Sequence, residues 1–324
     1  MSSKSVLVIG DTILDVSVFS SVVGISLETP TLKAKKRKEV ISPGGAANVA
    51  KNITALGTAC TFLTVLKKDT LSFWTHDLLT RIVFEEERED TIKSRYWVSR
   101  GDSSYKHLQI NQGCSSPISK DAQEDIIEYL SDNVTKFKCV LFVDYQQGIF
   151  SSPSFVSRLI GICKNQKVPC IASSQTSSND SRHRLFKGSD LVVMNRDEAV
   201  SNDSGFKDSS TVVRLEELLG SNICVTLGSL GSMIGFSKES VEYVVPAFDV
   251  NAIDTCGAGD AFLACLSTKD WKNNPQESLK ISNAWAALAT EKLGTTVPEL
   301  RELDALIEGN DAGKIQERTT RVKL

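Results

Sequence analysis

The sequence is poor in the features that mark several functional classes. Lysine and arginine do not outnumber the acids: 37 stand against 40 aspartates and glutamates, a net charge of −3. It therefore lacks the basic field of a dedicated nucleic-acid binder, and no nucleic-acid partner is expected. No apolar run approaches the length that spans a bilayer. The N-terminal run Val6–Ile9 is short and gives way at once to Gly10 and Asp11, which suits a first strand rather than a secretion signal. The cysteines (Cys60, Cys114, Cys139, Cys163, Cys170, Cys224, Cys256 and Cys265) form no C-x-x-C pair, and several lie inside apolar runs. That is the pattern of reduced, mostly buried thiols, neither a disulfide frame nor a zinc site. The three histidines, His76, His107 and His183, show no metal-ligand spacing. A Walker A loop, a G-x-G-x-x-G turn and an H-x-G-H nucleotidyltransferase signature are all missing. That argues against a P-loop NTPase, a dinucleotide enzyme and, for this chain by itself, a fused nucleotidyltransferase. Together these absences lead us to expect a cytoplasmic protein with no membrane and no nucleic acid among its partners.

What is present is a chain of 324 residues, 41% of them hydrophobic, in which short β-rich runs alternate with helical patterns. The runs Val6–Ile9, Cys60–Leu66, Cys139–Val143, Ile171–Ser173, Leu191–Met194 and Ile223–Thr226 lack polar alternation, as strands buried on both faces do. Helical stretches lie at Ala46–Leu56, Asp121–Ser131, Ser154–Lys164, Glu216–Leu219 and Gly259–Leu266. This βαβ rhythm predicts an α/β fold: a mostly parallel sheet with helices on both faces. Two segments break it, at about 16–41 and 91–111. They read as half-exposed strands of a small antiparallel sheet inserted into the α/β body. The charged stretch from Pro298 onward reads as a terminal helix followed by a loose tail.

Five polar or glycine-rich motifs each sit just past a predicted strand or at a helix start, and in parallel α/β sheets ligands bind at the carboxyl ends of strands. The first is Asp254-Thr255-Cys256-Gly257-Ala258-Gly259-Asp260, which opens an apolar helix. Small residues at a helix start let backbone N–H groups approach an anion, and a carboxylate in that turn can take a proton from an attacking hydroxyl. The same residues also suit an ordinary strand-to-helix turn. In Pro43-Gly44-Gly45-Ala46-Ala47-Asn48 the glycine pair lets the backbone approach a ligand, and Asn48 can donate and accept toward sugar hydroxyls, or simply cap. Asp11 and Asp15, in Gly10–Asp15, are placed to bind hydroxyls or to serve the turn. Asn195 and Glu198 could orient hydrated Mg²⁺ or cap a helix. Thr226, Gly228 and Gly231 follow another strand.

Taken together and in this order, GDTILD, PGGAANVAKNITALG, DYQQG, NRDE, VTLGSLGS, DTCGAGDAF and NAWAALATEKLGT resemble the ribokinase-like (PfkB-type) carbohydrate kinases from Val6 to about Pro298. Within that family the chain is most similar to the kinase domain that phosphorylates D-glycero-D-manno-heptose 7-phosphate in ADP-heptose synthesis, on Gly24–Pro30 and Glu291–Thr295. The resemblance implies a single ribokinase-like domain over 1–324, with the two inserted β segments as a lid over the acceptor. It implies an ATP-dependent kinase acting on a hydroxyl of a sugar or sugar phosphate. Another acceptor (fructose, ribose or a nucleoside) and a non-catalytic sugar- or nucleotide-binding regulator are the alternatives. By the family pattern Asp260 is the base, and Gly257, Ala258 and Gly259 form the anion hole. Asp15, Gly44, Gly45 and Asn48 hold the sugar. Asn195 and Glu198 organise Mg²⁺ through water and the phosphates. Thr226, Gly228, Gly231 and Asn283 line the nucleotide, and Asp254 takes a monovalent cation, K⁺, as in some members. An exposed lid edge could pair two copies as a homodimer.

The chain departs from the pattern in three places. Gln147 stands where heptose-type members carry lysine in D-Y-x-K-G, which removes a positive charge that an anionic substrate would use. Cys256 stands where threonine is common, and Leu66-Lys67-Lys68-Asp69 lacks the usual glycine. Of the other basic residues, Lys33, Lys35, Lys36, Arg37 and Lys38 read chiefly as a solvated, aggregation-resistant lid edge. By analogy, Arg95 and Lys106 are candidates to touch a substrate phosphate.

Overall fold

The computed structural model describes residues 4–68, 79–101, 103–113, 115–175, 181–207, 212–236, 241–312 and 322–323. Asp69, His76 and Cys114 lie outside them. The first half of the chain runs β1 (Ser5–Gly10), β2 (Thr12–Ile25), β3 (Leu32–Gly45), α1 (Ala46–Ala55), β4 (Cys60–Leu66), β5 (Leu79–Phe84), β6 (Ile92–Arg100), β7 (Ser103–Gln112), α2 (Lys120–Asn133), β8 (Phe137–Asp144) and α3 (Pro153–Asn165). The second half runs β9 (Cys170–Ser174), β10 (Leu191–Asn195), α4 (Arg196–Asn202), α5 (Val212–Leu219), β11 (Asn222–Thr226), β12 (Ser232–Phe236), β13 (Val241–Val245), α6 (Ala258–Thr268), α7 (Pro275–Thr290), α8 (Leu300–Ala312) and β14 (Val322–Lys323).

Ten strands form one sheet in the order β14-β13-β12-β11-β10-β9-β8-β1-β4-β5. Every pairing from β5 to β11 is parallel, and β12, β13 and β14 add on in antiparallel fashion. The inner parallel strands are mostly apolar because both faces are covered. Leu7 and Ile9 of β1 and Val140 and Phe142 of β8 pack under α2 and α3 with Phe150, Phe155 and Phe186. Their neighbours Val6, Val8, Cys139 and Leu141 point the other way, against Val49 and Ile53 of α1 and Phe262 and Leu266 of α6. Each such buried aliphatic or aromatic side chain contributes about 1.5–3 kcal/mol. Six of the seven described cysteines are buried and the seventh, Cys256, is half-buried; all seven are free thiols.

The second sheet has four strands, ordered β3-β2-β6-β7. The two insertions expected at 16–41 and 91–111 form it, each as an antiparallel hairpin, and they join along a parallel seam between β2 and β6. Its strands begin closer to the site than the sequence suggested: β2 starts at Thr12 and β3 runs through Gly45, so the Gly10–Asp15 and glycine-pair motifs are lid roots rather than loops. The expected terminal helix is α8. Beyond it, Val322–Lys323 pairs with β13. Among the described residues no helix is long and apolar enough to cross a membrane.

Candidate active site

The carboxyl ends of β1, β8, β10 and β11, the roots of β2 and β6 and the start of α6 converge on one crevice. Three cavities follow it. One of about 510 Å³ is framed by Gly228, Ser229, Phe248, Asn283 and Ala287. One of about 100 Å³ lies between Asp144, Asn195, Glu198 and Asp260. One of about 330 Å³ opens under the lid between Asp15, Gly45, Lys93, Arg95, Cys256 and Asp260. Thr226 and Gly259 line all three, and Asp260 lines the latter two. Asp260 thus sits where the crevice passes from one chamber to the next.

Helix α6 starts as the sequence suggested. Gly257 is its N-cap at φ 83, a left-handed conformation that favours glycine, and a Cβ there would come 3.0 Å from Asn48 Nδ2. Ala258 N–H turns back to the Thr255 carbonyl at 3.3 Å. At Gly259 a Cβ would meet no protein atom within 4 Å. The space a side chain would fill is therefore crevice, at a helix N-terminus whose dipole favours an anion. Those features fit a nucleotide phosphate.

Asp260 is buried in the first turn of α6. Burial pushes its carboxyl up to about 6, against the hydrogen bonds from Tyr145 and Asn48 that favour its charged form. The Tyr145 hydroxyl donates to Oδ1 and Asn48 Nδ2 donates to Oδ2 at 2.9 Å. The Asn48 orientation follows from the indole N–H of Trp285, which can only donate. Trp285 donates to Asn52 Oδ1 at 2.8 Å, so Asn52 presents its amide to the Asn48 side-chain oxygen at 3.3 Å, which leaves the Asn48 amide for Asp260. Asn48 was expected to hold the sugar. It is bonded to Asp260, and it is not among the residues that line the lid cavity.

Asp15 does line that cavity, in an ion pair with Arg95 across the β2–β6 seam. Gly44 serves Asp15: a Cβ there would lie 2.4 Å from Asp15 Oδ2. Gly45, at φ 60, closes against the Asp11 carbonyl, where a Cβ would approach to 2.7 Å. Lys93, two residues from Arg95 on the same face of β6, also reaches the cavity. Its ammonium lies 3.4 Å from Gln175 Oε1 and 5.1 Å from the centre of the Tyr145 ring. Burial lowers its pKa. Lys93 was missed in the sequence, although its i, i+2 spacing to Arg95 on a strand carried the signal. Lys106 is exposed on β7 and lines none of the three cavities.

Gln147 faces elsewhere. Its Oε1 accepts from Thr91 at 3.2 Å, its Nε2 donates to the Tyr145 carbonyl at 2.8 Å, and Arg88 bonds its backbone oxygen. The missing lysine therefore leaves the lid cavity's own cations, Lys93 and Arg95, in place.

Asn195 and Glu198 form a complete capping box on α4: each side chain accepts from the other's backbone N–H, at 2.9 and 2.8 Å. Both also line the middle cavity, where they fit a hydrated Mg²⁺ held chiefly by phosphates and water. Asp254 accepts from Cys256 N–H at 3.1 Å and Gly294 N–H at 3.0 Å, tying the loop before α6 to the segment after α7. Asn283 donates to the carbonyls of Val245 and Pro246 at 3.1 and 3.0 Å and so shapes the wall of the largest cavity. Gly231 is fixed by packing, since a Cβ would lie 2.1 Å from the Val245 carbonyl, whereas one on Gly228 would meet nothing.

A crevice of this shape at the carboxyl ends of a parallel sheet, roofed by a β lid, with a buried carboxylate beside a glycine helix start, defines the phosphotransferase class with a ribokinase-like fold. The pfkB family carbohydrate kinase model matches residues 3–302, and the chain belongs to that family: it is a carbohydrate kinase. Among curated proteins it is 28% identical over 321 residues to the bifunctional protein HldE of Campylobacter curvus, covering 93% of this chain and 64% of that protein. It is 29% identical over 318 residues to the HldE of Azorhizobium caulinodans, with 93% and 64% covered. The chain thus spans just under two thirds of the length of these relatives. Among solved structures, ribokinase from Giardia lamblia superposes with a TM-score of 0.70 at 18% identity, covering 95% of this chain and all of that one. Phosphofructokinase-2 from Escherichia coli with fructose-6-phosphate superposes with a TM-score of 0.72 at 16% identity, covering 95% and 99%.

Proposed function

We propose that the chain transfers the terminal phosphoryl group of ATP to a hydroxyl of a phosphorylated sugar, with D-glycero-D-manno-heptose 7-phosphate the first acceptor to test. The observation that carries this reading is the place of Asp260: a buried carboxylate at the passage between the middle cavity and the lid cavity. In the reaction Asp260 takes the proton from the attacking hydroxyl, and the N-terminal amides of α6 stabilise the charge that the transferring group carries. Mg²⁺ would neutralise phosphate charge beside Asn195 and Glu198. The positioning that remains falls to the crevice: Thr226, Gly228, Gly231 and Asn283 along the nucleotide, and Asp15 and Gly45 at the acceptor. K⁺ at Asp254 rests on the family resemblance. A phosphorylated acceptor is favoured because Lys93 and Arg95 bring two cations to the lid cavity, and because the HldE relatives match nearly the whole chain.

The test is ADP release with ATP and Mg²⁺ against heptose 7-phosphate, fructose 6-phosphate, fructose and ribose. The highest kcat/KM is expected with a phosphorylated acceptor, and Lys93→Gln should raise KM for that acceptor while leaving KM for ATP unchanged. A preference for fructose or ribose over both phosphorylated sugars would sink the sugar-phosphate reading.

A further inference from the structure

Tyr145 lies in the DYQQG run, which the sequence offered only as a family marker, and its side chain ends on the carboxylate of Asp260. We propose that Tyr145 is a positioning residue for the catalytic base: with Asn48 on the other oxygen, its hydroxyl fixes the plane of the Asp260 carboxylate and keeps it ready to receive the acceptor proton. This rests on the reading of Asp260 as the base and adds how this chain holds it.

The tyrosine is held at four points. Its backbone N–H donates to Asp11 Oδ2 at 2.9 Å, and its carbonyl accepts from Gln147 Nε2 at 2.8 Å. Lys93 lies against its ring face at 5.1 Å. The hydroxyl meets Asp260 Oδ1. The loop that carries it is itself fixed to β1, because Asp11 accepts two further backbone donors, Gln147 at 3.1 Å and Ile149 at 3.2 Å. Gln146, between Tyr145 and Gln147, adopts φ 59, a conformation that costs about 1–3 kcal/mol for a residue with a side chain and persists only where its surroundings over-determine it. Bonds at both ends of Gln146 supply that restraint: its N–H donates to Asp144 Oδ1 at 2.8 Å and its side-chain amide to the Gln175 carbonyl at 2.6 Å. Asp11 thus acts on the chemistry through Tyr145, without lining the lid cavity.

Two donors occupy one lone pair on each Asp260 oxygen, and a carboxylate has about four such sites, so room remains for the acceptor hydroxyl. Both donors favour the ionised form, and burial opposes it. Burial and the neighbouring Asp260 charge hold the tyrosine's own pKa well above its ordinary value, so it donates throughout the working range. The other charged and titratable groups around Asp260 are Asp15 on β2, Lys93 and Arg95 on β6, Asp144 on β8, Glu198 on α4 and Cys256 before α6. Tyr145→Phe leaves all of these, and the ring under Lys93, unchanged.

The experiment is ¹³C NMR titration of aspartate carboxyl carbons in the full chain, with Asp260→Asn assigning the Asp260 signal. Tyr145→Phe should move the Asp260 midpoint upward by about one pH unit. The acid limb of kcat should move with it, with the best acceptor of the panel above. In the reciprocal measurement, ¹³Cζ titration of tyrosine should show Tyr145 ionising at lower pH in Asp260→Asn than in the wild type, which tests the contact without the phenylalanine variant. An Asp260 midpoint and acid limb unchanged in Tyr145→Phe, or a Tyr145 titration unchanged in Asp260→Asn, overturns the proposal. Should Asp260→Asn retain near wild-type turnover, the base reading fails and this inference with it. A dead Asp260→Asn beside an unaltered Tyr145→Phe removes only the tyrosine's role.

Discussion

At the scale of single residues, the burial that raises the pKa of Asp260 works against the fold. Its carboxyl titrates near 6 rather than at 3.8. A carboxylate whose folded pKa is raised loses stability as pH rises from the unfolded value through the folded one, here by about 3 kcal/mol once both values are passed. Asp260→Asn is therefore expected to abolish turnover by at least about 100-fold. Its melting temperature relative to wild type should rise between pH 4 and pH 7; a relative melting temperature that is flat or falls across that window would show that the buried charge is not strained. Gly259 makes the converse case. A methyl group there meets no protein atom, and alanine is the better helix former by up to about 1 kcal/mol, so Gly259→Ala should hold or raise stability. Turnover should nonetheless fall, because the methyl group occupies crevice. Unchanged kcat/KM for ATP would show that no phosphate passes there. The GAGD run was legible because glycine and aspartate at a helix start carry their chemistry locally. Tyr145 was not, since its partner Asp260 lies 115 residues away and only the fold brings it near; for Lys93 the one local signal was its strand spacing to Arg95.

At the scale of elements, the inner strands were readable because burial on both faces leaves an unbroken apolar run. The edge strand β5, with Thr80 and Arg81 inside it, gives no such run. Helix α7 begins with Pro275 at its first turn and is rich in alanine, yet its sequence was noticed only as a motif. The antiparallel character of each lid hairpin followed from alternation and a turn, whereas the parallel β2–β6 seam depends on how two distant hairpins meet. Helix α4 shows how one pair of residues can serve both element and site. Asn195→Ala breaks half of the capping box and should lower stability by about 1 kcal/mol. Because Asn195 also lines the middle cavity, the same variant should need several-fold more Mg²⁺ for half-maximal turnover. A stability loss with an unchanged Mg²⁺ requirement would reduce Asn195 to a cap.

At the scale of the whole molecule, the lid has two chemically distinct faces, and strand alternation sorts them. Asp15, Lys93 and Arg95 line the lid cavity. In the register of the sheet, Ile41 lies beside Val16, Val16 beside Ser94 and Ser94 beside Ile110, all on the opposite face, and Leu108 extends that row next to Tyr96. Ile41, Leu108 and Ile110 are each more than 40% exposed, an unusual concentration of bare aliphatic side chains on a surface otherwise rich in lysine. The homodimer expected from the exposed lid edge would bring a second copy to this sheet, and covering the row would rigidify the roof of both lid cavities. Sedimentation equilibrium should then give a mass near twice the chain's 35.4 kDa. Leu108→Glu with Ile110→Glu should give the monomer, since burying two such charges without partners is strongly unfavourable. The monomeric variant should keep its KM for ATP and lose affinity for the acceptor, because only the acceptor depends on the lid. A wild-type chain that sediments as a monomer at micromolar concentration would leave the apolar row without a second copy and remove the expected homodimer.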